Sequence, residues 1–257
     1  MNLVDFSGFR KLGVVVAIIV VWLLLSHSGV WSPLLFPDPV GTVNYILENP
    51  DFVVSSVRRS LTLLLIALGA SSIVSLTISS VAAQSKGFRV VLETLISMLS
   101  PVPGISLLPF AILWFGLGHR PILFITVVGS IAVYTLPIMN GFNTIPSILI
   151  DVGRIYGLKK WEMIRHIYFP ATLPSILTGL RSAWGLSWRS LVAGELVYGA
   201  MGKSAGIGWL ITINRYNLNP NGMAVGLLSI VVLGLLMEHV ITGSVEKVTV
   251  KKWGMKV

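Results

Sequence analysis

Between residues 61 and 140 the chain runs through three long apolar segments, 61–83, 92–115 and 121–140, separated by short stretches that hold its few charges. A helix needs roughly 20 such residues to cross the hydrocarbon core of a bilayer, where every backbone polar group must be satisfied internally. The segments lack period-two alternation, which argues against an outer-membrane barrel. Of the 257 residues 54% are hydrophobic and 11% charged, and the mean hydropathy is +0.84. A soluble domain has about 25% charged residues. The expected fold is therefore all-α, a polytopic membrane protein.

Three further segments complete the count. Arg10 and Lys11 precede an apolar run from Leu12 to Leu25, which lacks a small-residue cleavage site and reads as an uncleaved first span. It is short unless residues 26–31 extend it. The proline-rich stretch 31–52 reads as an extramembrane loop, and spans are expected at 174–198 and 222–243. Six spans result, organised as residues 1–60, a core at 61–246 with a polar loop at 141–173, and a tail at 247–257.

The net charge is +9, yet the basic residues lie mostly between apolar runs, where they set orientation rather than bind nucleic acid. One side would hold Arg10, Lys11, Lys86, Arg89, Arg154, Lys159, Lys160, Arg165, Lys247, Lys251, Lys252 and Lys256. The other would hold Arg58, Arg59, Arg120, Lys203 and Arg215. The positive-inside rule then puts both termini and the 141–173 loop in the cytoplasm. There is no cysteine, and His27, His119, His166 and His239 lack ligand spacing, so no metal site is expected.

The stretch 151–174, "DVGRIYGLKKWEMIRHIYFPATLP", interrupts this apolar sequence. A glycine inside a helix costs about 1 kcal/mol relative to alanine, so Gly157 is expected to mark a turn between two short helices. Val152, Ile155 and Tyr156 can form an apolar face before it, and Trp161, Ile164 and Ile167 recur at helical spacing after it. A protruding knob is expected. On residues alone, a basic helix resting on anionic lipid is an equal alternative.

Gly157 follows Asp151 by six residues, Ile167 follows Gly157 by ten, and Pro170 follows Ile167 by three. This spacing resembles the EAA motif of ABC importer permeases, E-A-A-x3-G-x9-I-x-L-P. The departures are the Asp151-Val152-Gly153 start and Phe169 in place of leucine; the spacing is intact. "PVPGISLLPFAILWFGLG" (101–118) and "SWRSLVAGELVYGAMGKSAGIGWLI" (187–211) resemble the nitrate, sulfonate and taurine branch of that family, and the likeness runs over roughly residues 30 to 243. The resemblance implies a type I importer permease fold and a subunit that pairs with a second permease copy. It implies two cytoplasmic ATPase subunits, which bind ATP and Mg, and an extracytoplasmic solute-binding protein. It implies a docking role for Asp151, Val152, Gly153, Ile155, Tyr156, Gly157, Leu158, Lys159, Lys160 and Trp161, with Glu162 and Arg165 flanking.

Arg181 and Arg189 are eight residues apart in the fifth span, within about 80° of each other on a helix. Arg189 falls near mid-span, where an unpaired charge costs on the order of 2.5–3.5 kcal/mol even on the mildest scale, so it needs water or a partner. Arg181, Arg189 and Glu195 are the candidate pathway residues: Arg189 either lines the pathway and attracts an anion, or pairs with Glu195 or with backbone carbonyls and only fixes helix packing. Glu93 and Glu238 lie near span ends and read as structural. The small residues of 64–83, and Gly222 and Gly226, suit close helix contacts. Pro101, Pro103 and Pro109 can break the third span.

"GKSAG" (202–206) fits the hydrolase elbow G-x-S-x-G, which needs a strand before its serine, and no Asp-then-His order follows. The same residues imitate the end of a phosphate loop, but position 197 is valine where glycine is required. Neither an ATP site nor a relay of intramembrane carboxylates is evident, so the energy for uphill transport must come from partners. A self-sufficient secondary transporter or channel is the competing expectation. A membrane-embedded enzyme is disfavoured, because no nucleophile–base constellation is visible.

Overall fold

The computed structural model describes residues 6–198 and 206–253, all of whose regular structure is helical. The Gly202-Lys203-Ser204 imitation of a phosphate loop and Lys256 lie outside these residues. The first helix, α1 (Phe6–His27), leads through a turn into α2 (Pro39–Glu48) and the 35-residue α3 (Pro50–Gln84). Proline opens both α2 and α3, where its missing N–H costs no helical bond. The Asp38 carboxylate caps α2 by accepting the Gly41 N–H at 2.8 Å.

The expected third span at 92–115 is two helices. α4 (Lys86–Leu99) and the segment Gly104–Phe115, which ends in α5 (Leu108–Phe115), meet at 91°. Pro101 and Pro103 stand in the break between them, where neither can donate a backbone hydrogen bond to a continuing helix. A glycine allows that break to lie against the next helix: a Cβ on Gly104 would meet the Ile125 carbonyl oxygen at 3.0 Å.

α6 (His119–Asn143) makes its most extensive contacts with α9 (Phe169–Tyr198), then with α3. The principal core lies among these three, with Leu63, Leu64 and Leu68 against Tyr134, Ile138, Trp184, Trp188 and Leu191. Ser71, Ser75 and Ser79 of α3 recur every fourth residue and are fully buried. Ser75 and Ser79 donate to the Ile131 and Thr135 carbonyls at 3.4 and 3.3 Å, and the Thr135 hydroxyl donates to Ser75 at 3.1 Å. The small residues expected to bring helices together do so here, with hydrogen bonds added.

The chain ends in α10 (Ile207–Tyr216) and α11 (Pro220–Trp253). Gly222 packs against Asn214 and Gly226 against Ile211, so the expected small-residue pair joins these two helices. The six expected spans all fall on helices, but they are unequal. α3, α6 and Pro220–Val240 of α11 are long and apolar enough to cross a bilayer, and the bent α4–α5 pair makes a fourth. The apolar part of α1, Gly13–His27, is shorter. α9 is 30 residues long but interrupts its apolar sequence with Arg181, Arg189 and Glu195.

Candidate functional site

The polar stretch forms an elbow. α7 (Ser147–Ile155) stops at Gly157, whose φ of +69° is a conformation that glycine adopts without a Cβ clash. The Gly157 N–H donates to the Arg154 carbonyl and the Leu158 N–H to that of Gly153, both at 3.0 Å. These two bonds close the helix with the paired C-terminal cap that a left-handed glycine permits. The next helix restarts at α8 (Lys160–Met163) and runs through a π-helical turn, Ile164–Tyr168, into α9. Glu162, expected as a flanking docking residue, reaches back to accept the Lys159 N–H at 2.7 Å, the reciprocal half of a capping box.

Gly153 explains one departure from the motif. It is buried, and a Cβ there would run into the ends of the Met163 and Ile167 side chains. The smallest residue lets α7 lie directly on the π-helical turn. The outer side of the elbow is left uncovered: Ile155 is 83% exposed, Tyr156 81% and Trp161 70%. Asp151 and Arg154 pair at 3.3 Å on the same exposed surface, Val152 and Lys159 are exposed beside them, and Leu158 is half-buried. Arg165 is exposed on the π-helical turn.

A second constellation lies on α9. Arg181, Ser182, Gly185, Leu186 and Arg189 form one stripe that, with Val133 of α6 and Glu238 of α11, lines an open groove of about 430 Å³. The two arginines share a face, as their spacing required. Arg181 donates through Nε and Nη2 to one Glu238 oxygen, at 3.1 and 2.8 Å. Arg189 is exposed and forms no ion pair with a described residue. Glu238, expected only as a structural residue near a span end, therefore belongs to this groove. The missed signal was an acid in the last span able to face an arginine in the fifth.

Glu195, expected beside Arg189, sits elsewhere. It is 1% exposed and accepts the Ser60 hydroxyl at 2.8 Å and the Gly208 N–H at 3.0 Å. Six residues after Arg189 on a helix, it points to a different side, towards α3 and the start of α10. Gly206 and Gly208 lie against its side chain, leaving no room there for larger residues. Among the described residues no group of histidines and acids could hold a metal ion.

The described residues form the helical core of a multi-span membrane protein, with an elbow on one loop and a charged groove along α9. The chain belongs to the family of binding-protein-dependent transport system inner membrane components, whose model matches residues 75–249. It is thus a multi-pass inner-membrane permease component of an ABC importer, and not itself the ATPase. It is 31% identical to the putative aliphatic sulfonates transport permease protein SsuC of Bacillus subtilis, over 86% of this chain and 79% of that protein. The taurine transport system permease protein TauC of Escherichia coli is 24% identical over 89% of this chain and 84% of its own length. The nitrate import permease protein NrtB of a Synechocystis strain is 27% identical over 88% and 84%. In fold, the chain is similar to a chain in an inward-facing structure of the MetNI methionine ABC transporter. The TM-score is 0.64 at 20% identity, covering 78% of this chain and 99% of that one.

Proposed function

We propose that this permease carries a small anionic solute, a sulfonate, taurine, nitrate or a close chemical relative, handed over by an extracytoplasmic binding protein. Relatives named for aliphatic sulfonates, taurine and nitrate support the substrate class. The observation that carries it is Arg189, an exposed cation inside α9, nine residues before its end at Tyr198, with no ion-pair partner among the described residues. Such a charge is too costly against lipid, which makes its groove a water-filled path or an interface with a second permease copy.

The elbow is the handle for the ATPase. Its apolar side chains Ile155, Tyr156 and Trp161 face outward on a pre-shaped turn, so docking buries them without first ordering the backbone. Two ATPase subunits on two permease copies close and open around ATP and Mg, and each elbow carries that motion into α6 and α9. Both termini and the elbow face the cytoplasm, as the excess of lysine and arginine on that side supports.

Co-purification tests this. The tagged chain, extracted from its native host in mild detergent, should retain an ABC ATPase that a chain altered at Gly157 and at Lys159 and Lys160 loses. No ATPase under conditions that preserve known complexes would move a self-sufficient transporter or channel to the front.

A further inference from the structure

Resting on the anion reading above, we infer that the α9 groove is a monoanion site. Glu238 cancels Arg181, and Arg189 alone receives the negative group. The lining carries two arginines and one glutamate, a net charge of plus one. Glu238 accepts two hydrogen bonds from Arg181, whose Nε and Nη2 converge on a single oxygen. Arg181 is thereby fixed and neutralised, while Arg189, two helical turns further along the same stripe, keeps its donors available.

The space between them suits a small ligand. Gly185 lies midway between the two arginines, and nothing stands within 4 Å of where its Cβ would be. The open floor continues past Ser182 and Leu186 to Val133, one hydroxyl among apolar side chains, in a volume of about 430 Å³. A planar or tetrahedral oxyanion can meet the guanidinium of Arg189 with two parallel hydrogen bonds, the pairing that this fork favours. A second negative charge on the same ligand would face Glu238 with no further cation among the described lining residues to meet it. The groove therefore discriminates by charge number, and Glu238 is the residue that sets it.

The test uses the chain purified with the partners it carries and follows binding of radiolabelled methanesulfonate and sulfate at constant ionic strength. The unaltered chain should bind methanesulfonate, with sulfate competing at least about fivefold more weakly. Arg189→Gln should weaken methanesulfonate binding by about tenfold or more, and Arg189→Lys, which keeps the charge, should recover most of it. Glu238→Gln, which releases Arg181, should raise sulfate affinity until the preference is lost or reversed. The inference is overturned if the unaltered chain binds neither anion, if Arg189→Gln binds as the unaltered chain does, or if Glu238→Gln keeps the original preference while eluting at the unaltered size. These outcomes do not depend on recovering an ATPase, so failure of the docking proposal and failure of the anion site are read separately.

Discussion

The carboxylate of Glu195 accepts the hydroxyl of Ser60, 135 residues earlier in the chain, at 2.8 Å to each of its oxygens. The same Ser60 oxygen accepts the Ile207 N–H at 2.9 Å. One serine thus joins α3, the end of α9 and the first turn of α10, whose N–H groups have no helical partner. Ser60→Ala would leave the buried carboxylate and the Ile207 N–H short of partners, at a cost of about 1–3 kcal/mol. The thermal midpoint of the purified chain in detergent should fall accordingly, and an unchanged midpoint would mean that this junction contributes nothing.

Gly157 and Gly87 both have open space where a side chain would stand, but only Gly157 has a positive φ. Gly157→Ala should lower the unfolding midpoint, because the left-handed conformation costs roughly 1–2 kcal/mol for a residue with a Cβ. Gly87→Ala, on the first turn of α4, should leave it unchanged or raise it slightly. Equal effects at the two positions would show that the elbow does not need its left-handed turn.

Position 153 should tolerate one methyl group and no more. Gly153→Ala meets only the flexible ends of Met163 and Ile167, which can shift. Gly153→Leu forces α7 off the π-helical turn, an overpacking cost of about 1–3 kcal/mol. In co-purification, alanine should retain the ATPase and leucine should lose it. A leucine variant that still recovers the ATPase would show that the angle between α7 and α8 is not what docking reads.

Ile155, Tyr156 and Trp161 contribute little to the stability of this chain alone, because most of their surface is already in contact with solvent. Replacing the three by serine should change the unfolding free energy by no more than about 0.5 kcal/mol per site. The same replacement should remove the ATPase from the purified complex. Retention of the ATPase at the unaltered level would assign the handle to another surface.

The fold and the elbow were legible from sequence to different depths. The elbow could be read because its signals are local: glycine at the turn, apolar residues at helical spacing on either side, and prolines after it. The 91° bend between α4 and α5 could be suspected from Pro101 and Pro103, but its angle depends on how closely Gly104 approaches α6. The groove was half-visible. Spacing put Arg181 and Arg189 on one face, whereas the choice of partner depended on α11, 57 residues away from Arg181.

The sequence by itself determined the helical membrane class, the six apolar segments that fall on helices and the turn at Gly157, but neither the break within the third segment nor α10. Each of these follows from hydrophobic run length or from the backbone freedom of one residue. Tertiary structure decided which acid meets which arginine. Glu195 is six residues from Arg189 yet turns to Ser60, while Glu238 is far away in sequence and meets Arg181 at 2.8 Å. Helical rotation fixes the direction in which a side chain points, but only the packing of α3, α9 and α11 fixes what it finds there.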